Sequence, residues 1–143
     1  MVPTIVSWFG AEDQFSFRTD EYRPRGDAGR FSLGTPSIPT VYTALGGMEI
    51  ILEVGMERIR ERIDALTGDL VERLRGAGLP PRVAERRERR SGIVTVRVPD
   101  SAATVAALAE KGIIVDKRGE YVRISPHFYN TVEENERVVA AMR

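Results

Sequence analysis

An apolar residue recurs every three or four positions from Met56 to Leu74, and this is the longest regular pattern in the 143-residue sequence. Such spacing places all of these side chains on one side of an α-helix. Gly76 and Gly78 follow the pattern, and Pro80-Pro81 prevents the helix from resuming. A helix with one apolar face needs another layer of structure to cover it. The rest of the chain must therefore supply that layer.

Shorter patterns predict the elements of the second layer. Thr35-Pro36 has the composition of a helix start, and the helix should run to Gly55. Further on we expect an edge strand over residues 82–85, strands over 93–98, 113–116 and 121–125, a short helix over 100–111, and a last helix opened by a capping box at Thr131 and Glu134. The predicted fold class is α/β (α+β), a small mixed or antiparallel sheet covered by helices on one face.

The first 34 residues differ in texture from the rest. They contain most of the aromatic residues, interleaved with glycines and without helical or strand periodicity. Only residues 4–9 and 15–17 could pair as short strands. A long irregular aromatic segment is unusual in a small independent domain. We therefore predict that residues 1–34 connect to, and dock on, a surface outside this chain, and that residues 35–143 form a small domain.

Composition excludes several classes of function. The chain has no cysteine and one histidine, which rules out disulfides and thiolate chemistry and disfavours a protein-only metal site. Basic and acidic residues number 21 each, so nothing in the net charge indicates nucleic acid or anionic lipid. The basic run over residues 86–90 contains no aromatic residue to stack on bases, and we interpret it as a solvated loop. With no apolar run of about 18 residues and no signal peptide, the expected location is the cytoplasm, away from membranes.

Three positions are candidates for binding chemistry. Arg123 alternates with apolar residues in its predicted strand, so it should point away from the helices, where a guanidinium can hold a carboxylate. Gly34-Thr35 precedes a predicted helix start, which can bind an anion. His127 could serve a pocket or be structural. From spacing alone, an ordinary exposed arginine and an ordinary helix cap remain the simpler interpretations.

Residues 7–10 (SWFG), 30–36 (RFSLGTP) and 122–131 (VRISPHFYNT), in this order, resemble the C-terminal part of kynureninase-like and class V aminotransferase-like enzymes. Residues 91–94 (SGIV) and 112–115 (GIIV) also occur in the expected order. The resemblance covers nearly the whole chain. It implies the small domain of a fold-type I enzyme that uses pyridoxal 5′-phosphate (PLP) on an amino acid.

The resemblance also implies residue roles. Thr35, with Gly34, would contact the cofactor phosphate of the other subunit across a homodimer interface, and Trp8 is a further candidate for a phosphate contact. Arg123 would bind the α-carboxylate of the amino acid substrate. These roles come from the family and are expectations for this chain.

Departures from the family pattern restrict what the chain can do alone. Such enzymes carry PLP as a Schiff base on a lysine that precedes the Trp-Phe-Gly region, and this chain has only Lys111 and Lys117, neither in that setting. We therefore expect a C-terminal fragment that is inactive and binds no cofactor without the missing large domain. Kynureninase-like, epimerase-like and transaminase chemistry remain open. Two alternatives are a cysteine desulfurase or selenocysteine lyase relative that lacks the cysteine loop, and a stand-alone interaction domain.

Overall fold

The computed structural model describes all 143 residues. It contains four α-helices, α1 (Ile38–Val54), α2 (Met56–Gly76), α3 (Ser101–Glu110) and α4 (Val132–Ala141), and four strands, β1 (Pro81–Arg82), β2 (Val94–Arg97), β3 (Asp116–Arg118) and β4 (Tyr121–Ile124). Two compact units are present, Met1–Glu49 and Ile50–Arg143, and the division falls within α1. None of the helices combines the length and the apolar content that a bilayer span requires.

In the first unit, the short strands that the sequence allowed over residues 4–9 and 15–17 do not form, and two short 3₁₀ turns are present. They cover Trp8–Gly10 and Ala28–Phe31, and the only strand-like pairing is a single bridge between Ala11 and Pro24. The two turns meet at Gly10, where an added Cβ would lie 2.6 Å from the carbonyl oxygen of Arg30. A glycine is needed there because any side chain would collide with backbone.

Helix α1 begins two residues later than predicted, at Ile38 instead of Pro36, and the Thr35-Pro36 start is wrong. With Thr35 as the cap, the N–H of residue 39 would have to bond the Thr35 carbonyl, and Pro39 has no N–H. The helix instead starts at Ile38, with Pro39 in its first turn and the Val41 N–H donating to the Ser37 carbonyl at 3.2 Å. No residue of α1 is buried.

Helix α2 forms as the periodicity predicts and supplies one wall of the core of the second unit. Its buried apolar side chains are Ile59, Leu66, Leu70, Val71 and Leu74. Helix α4 packs beside it through Asn135, which is 3% exposed and donates to the Leu66 carbonyl at 2.9 Å and to Asp69 at 3.0 Å. The predicted capping box between Thr131 and Glu134 is present at the start of α4.

The sheet is antiparallel throughout, in the order β1-β2-β4-β3. One face packs on the helices through the strand residues with almost no exposure. These are Val94, Val96, Val122 and Ile124, which join side chains of α2, α3 and α4 in one cluster. The other face is open to solvent. The predicted fold, a small sheet covered by helices on one side, is confirmed.

The strands differ in extent from the prediction: β1, β2 and β4 are shorter, and β3 covers Asp116–Arg118 instead of residues 113–116, so that prediction is mostly wrong. Residues 113–115 do not pair with β4, whose ladder with β3 begins at Asp116 opposite Arg123. The Ile113 N–H instead donates to the Leu108 carbonyl and closes α3. The edge strand ends at Arg82, since the carbonyls of Ala84 and Glu85 accept from the Arg90 guanidinium and not from β2.

Candidate functional site

Arg123 occupies the open face of the sheet, as its alternation with Val122 and Ile124 predicts. The two apolar neighbours are buried at 0% and 6% exposure, whereas the Arg123 side chain is 34% exposed. Cross-strand register places Thr95 of β2 and Asp116 of β3 directly beside it. The rigid central strand of a sheet therefore holds this guanidinium toward the face that no helix covers.

The chain satisfies the Arg123 guanidinium only in part. One terminal nitrogen lies 3.2 Å from a carboxylate oxygen of Asp116. Nε is buried and has no hydrogen-bond partner. Because Nε has no accessible surface, an external anion would have to meet the terminal nitrogens of this partly exposed side chain. Arg123 is therefore oriented by the fold but retains hydrogen-bonding capacity for an anion.

Asp116 is the acidic partner of this arginine and was not identified from the sequence as part of the site. Its pKa lies below that of an ordinary aspartate, first because the Lys117 backbone N–H donates to its carboxylate at 2.6 Å, then because Arg118 and Arg123 add positive charge. It is consequently ionised at neutral pH. Only the register between β3 and β4 brings Asp116 and Arg123 together, and strand ends are poorly defined by sequence.

A groove lies beside Arg123 on the same face. Two of its lining residues are direct neighbours of Arg123, namely Thr95 across the strand pair and Tyr121 two positions along β4. Four arginines also line it. They are Arg82, Arg89, Arg90 and Arg118. Part of the basic run over residues 86–90 thus borders this groove, and its side chains are solvated as predicted, apart from the partly buried Arg90.

His127 lies in the connection between β4 and α4 and has no polar side-chain partner. Its ring centre lies 4.9 Å from that of Phe128 and 5.2 Å from that of Tyr129. Its backbone N–H donates to the Asn130 side chain at 2.8 Å, and the buried ring Nδ1 has no hydrogen-bond partner. These contacts favour the structural interpretation of His127.

The predicted phosphate contacts lie in the first unit and form no anion site there. Gly34 and Thr35 are exposed, a Cβ on Gly34 would meet nothing within 4 Å, and Thr35 caps no helix. Trp8 packs edge-on against Phe9 and Phe15, and its indole N–H donates to the Gln14 carbonyl. Each candidate would need groups from outside this chain to complete a phosphate site.

Lys111 and Lys117, the only lysines, are exposed at the end of α3 and in β3. Neither has an enclosed, preorganised setting for a cofactor. No group of three or more histidine, cysteine, aspartate or glutamate side chains converges as a metal site would require.

A family model described as the kynureninase C-terminal domain matches residues 59–142. An uncharacterized aminotransferase of Bacillus subtilis is 30% identical over 132 residues, which cover 92% of this chain and 34% of that protein. The kynureninase of Geobacillus thermodenitrificans is 28% identical over 148 residues, which cover 99% of this chain and 35% of that enzyme. The chain thus spans about a third of the length of these relatives.

Solved structures show the same fold. A cysteine desulfurase of Thermococcus onnurineus superposes with a TM-score of 0.80 at 24% identity, over 98% of this chain and 38% of that one. An alanine–glyoxylate aminotransferase of Nostoc gives a TM-score of 0.63 at 22% identity, over 81% and 33%. In both cases the chain corresponds to one part of a longer polypeptide.

Proposed function

The chain belongs to the family of kynureninase C-terminal domains, and from this premise we propose that it is the substrate-carboxylate-binding part of a PLP-dependent, class V aminotransferase-like enzyme that acts on an amino acid. Family membership and the small-domain fold support this assignment. The observation that carries it is the position of Arg123, whose side chain is partly exposed on the open sheet face and is held there by a contact with Asp116 at 3.2 Å.

A carboxylate bound by Arg123 would be held by charge-assisted hydrogen bonds from a planar, permanently charged fork. Asp116 restricts the guanidinium from one side by its contact at 3.2 Å, so less conformational freedom is lost when the ligand arrives. Thr95, opposite Arg123, uses its hydroxyl to donate to the Arg82 carbonyl at 3.1 Å. These contacts hold the binding group in place before the substrate enters.

When bound, PLP supplies the electron sink for reactions at the amino acid Cα. The Schiff-base lysine and most of the cofactor site would come from the missing large domain. Thr35, with Gly34, would add a hydroxyl to the phosphate of a second subunit in a homodimer. Trp8 is the weaker candidate, since Gln14 already accepts from its indole N–H. This chain would orient the substrate while other residues carry out the bond changes.

Exposed apolar side chains support the proposal that this chain packs against a further domain. Every residue of α1 is exposed or partly exposed, and so are most large apolar residues of the first 34. The largest exposed fractions in α1 are those of Tyr42 (71%) and Leu52 (78%). Many large apolar side chains left exposed usually mark an interface. We assign it to the large domain that relatives contain, and we expect the chain alone to self-associate.

The proposal is tested by titrating the 143-residue chain with butyrate and following the arginine Nε–H signals by NMR. Butyrate should shift the Arg123 signal, and Arg123→Gln should weaken binding about tenfold, since it removes charge-assisted hydrogen bonds. Arg97→Gln is the matched control, because Arg97 shares this face but is paired with Glu120 at 2.9 Å. Equal butyrate affinity in native chain and Arg123→Gln would contradict the proposed role.

A second measurement addresses the fragment assignment. The chain is incubated with PLP and an amino acid, product is assayed, and borohydride-trapped adducts are quantified by mass spectrometry. We expect no turnover and no stoichiometric adduct at Lys111 or Lys117. Turnover by these 143 residues alone would show that the large domain is dispensable.

A further inference from the structure

The open face of the sheet carries more positive charge than the chain neutralises. Four arginines, Arg82, Arg97, Arg118 and Arg123, occupy it by register. Only two carboxylates pair with them, Glu120 with Arg97 and Asp116 with both Arg118 and Arg123. Arg82 makes no ion pair. Binding the α-carboxylate at Arg123 would still leave this second guanidinium without an anion.

The Arg82 side chain is exposed and reaches over the ring of Tyr121, a neighbour of Arg123 on β4. Its guanidinium carbon lies 5.5 Å from the centre of the Tyr121 ring, so the side chain extends from the edge strand across β2 to the column of β4. Tyr121 and Arg123 are two positions apart on that strand, which corresponds to about 7 Å. The two guanidinium groups therefore lie within the span of one small molecule.

The groove that Arg82 lines, next to Arg123, has both polar and apolar walls. Arg82, Arg118 and Tyr121 contribute charge and a flat ring, whereas Ala84 and Ile93 contribute apolar surface along one side. A chain of methylene groups can contact the apolar side while its charged end meets the arginines. A neutral or cationic side chain would leave Arg82 unpaired and would gain nothing from it.

We propose that the groove recognises a second anionic group at the far end of the substrate, so that the preferred substrate is an amino acid with an anionic side chain. This inference rests on the proposed function, in which Arg123 takes the α-carboxylate. Arg82 would bind the distal anion over the Tyr121 ring, with Arg118 adding positive charge from the hairpin. Arg82 is then a specificity-determining residue.

The test compares probes that differ only at the far end, by calorimetry and arginine NMR on the 143-residue chain at low ionic strength. Glutarate carries a second carboxylate, 4-phosphonobutyrate carries a phosphonate there, and butyrate carries neither. We expect glutarate or the phosphonate to bind about tenfold more tightly than butyrate, the effect of one added charge-assisted contact. The better of the two identifies the distal group.

Variants separate a defined site from general attraction of a dianion. Arg82→Gln should reduce the ratio of dianion affinity to butyrate affinity to less than about threefold. Arg97→Gln removes the same charge from the same face and should leave this ratio near tenfold. In a series from succinate through glutarate to adipate, a two-point site should show an optimum of length. An equal loss of advantage in both variants, or no optimum of length, would overturn the proposal.

The outcomes also separate this inference from the proposed function. If butyrate binding depends on Arg123 but neither dianion binds more tightly, Arg123 keeps its role and the assignment of Arg82 is wrong. If no probe binds, both are wrong. Circular dichroism of each variant confirms that the fold is retained, which we expect because Arg82 is exposed.

Discussion

Replacing Asn135 by alanine should destabilise the second unit by about 2–3 kcal/mol. The side-chain amide of this buried residue makes two hydrogen bonds to α2, one to the Leu66 carbonyl at 2.9 Å and one to the Asp69 carboxylate at 3.0 Å. A neutral bond contributes about 1 kcal/mol and a bond to a charged group about 1.5 kcal/mol or more. No further loss of stability is expected, because both acceptors keep another hydrogen bond. The Leu66 carbonyl keeps its bond within the helix, and the Asp69 carboxylate keeps its ion pair with Arg73 at 2.9 Å.

Urea denaturation of the native chain and Asn135→Ala measures this difference directly. With a slope of about 1.5–2 kcal/mol/M, the midpoint should fall by about 1–2 M. Glu136→Ala is the control, one position along the same helix. Its side chain is 69% exposed and 3.7 Å from Arg73, so its stability change should stay within about 0.5 kcal/mol. A change below about 0.8 kcal/mol for Asn135→Ala, or equal changes in both variants, would refute the account of how α4 is joined to α2.

Three further predictions concern other parts of the chain. Gly10→Ala should disrupt the first unit, because the added Cβ would lie 2.6 Å from the Arg30 carbonyl oxygen. A loss of Trp8 fluorescence anisotropy or new proteolytic cleavage before residue 35 would report the disruption. Unchanged anisotropy and unchanged cleavage would contradict the close approach. Thr131→Ala removes the capping box with Glu134 and should cost about 1 kcal/mol in urea denaturation, against no change if the cap is irrelevant. The pKa of Asp116 is lowered in the fold, so its contribution to stability is present above the ordinary aspartate pKa of about 3.9 and is lost as pH falls through its lower folded value. The Arg123 Nε–H signal should accordingly stay constant down to that range and move only at more acidic pH, and a shift above pH 5 would contradict this.

Local rules account for the parts of the structure that the sequence predicted well. Helix α2 and the capping box of α4 depend on residues three or four positions apart, which interact whatever the rest of the chain does. The outward direction of Arg123 depends only on strand alternation between Val122 and Ile124. The start of α1 is also a local matter, because the missing N–H of Pro39, visible in the sequence, is incompatible with a start at Thr35-Pro36.

Tertiary structure decided where the strands end and which charges meet. The β3–β4 ladder begins only at Asp116 opposite Arg123, and the Ile113 N–H, three residues earlier, donates to the Leu108 carbonyl at the end of α3. The same register joins Asp116 to Arg123 and brings Arg82 toward Tyr121. The amino-acid sequence by itself thus determines the helices, the family resemblance and the outward arginine. The composition of the surface around that arginine follows from strand pairing between distant segments, which no local spacing specifies.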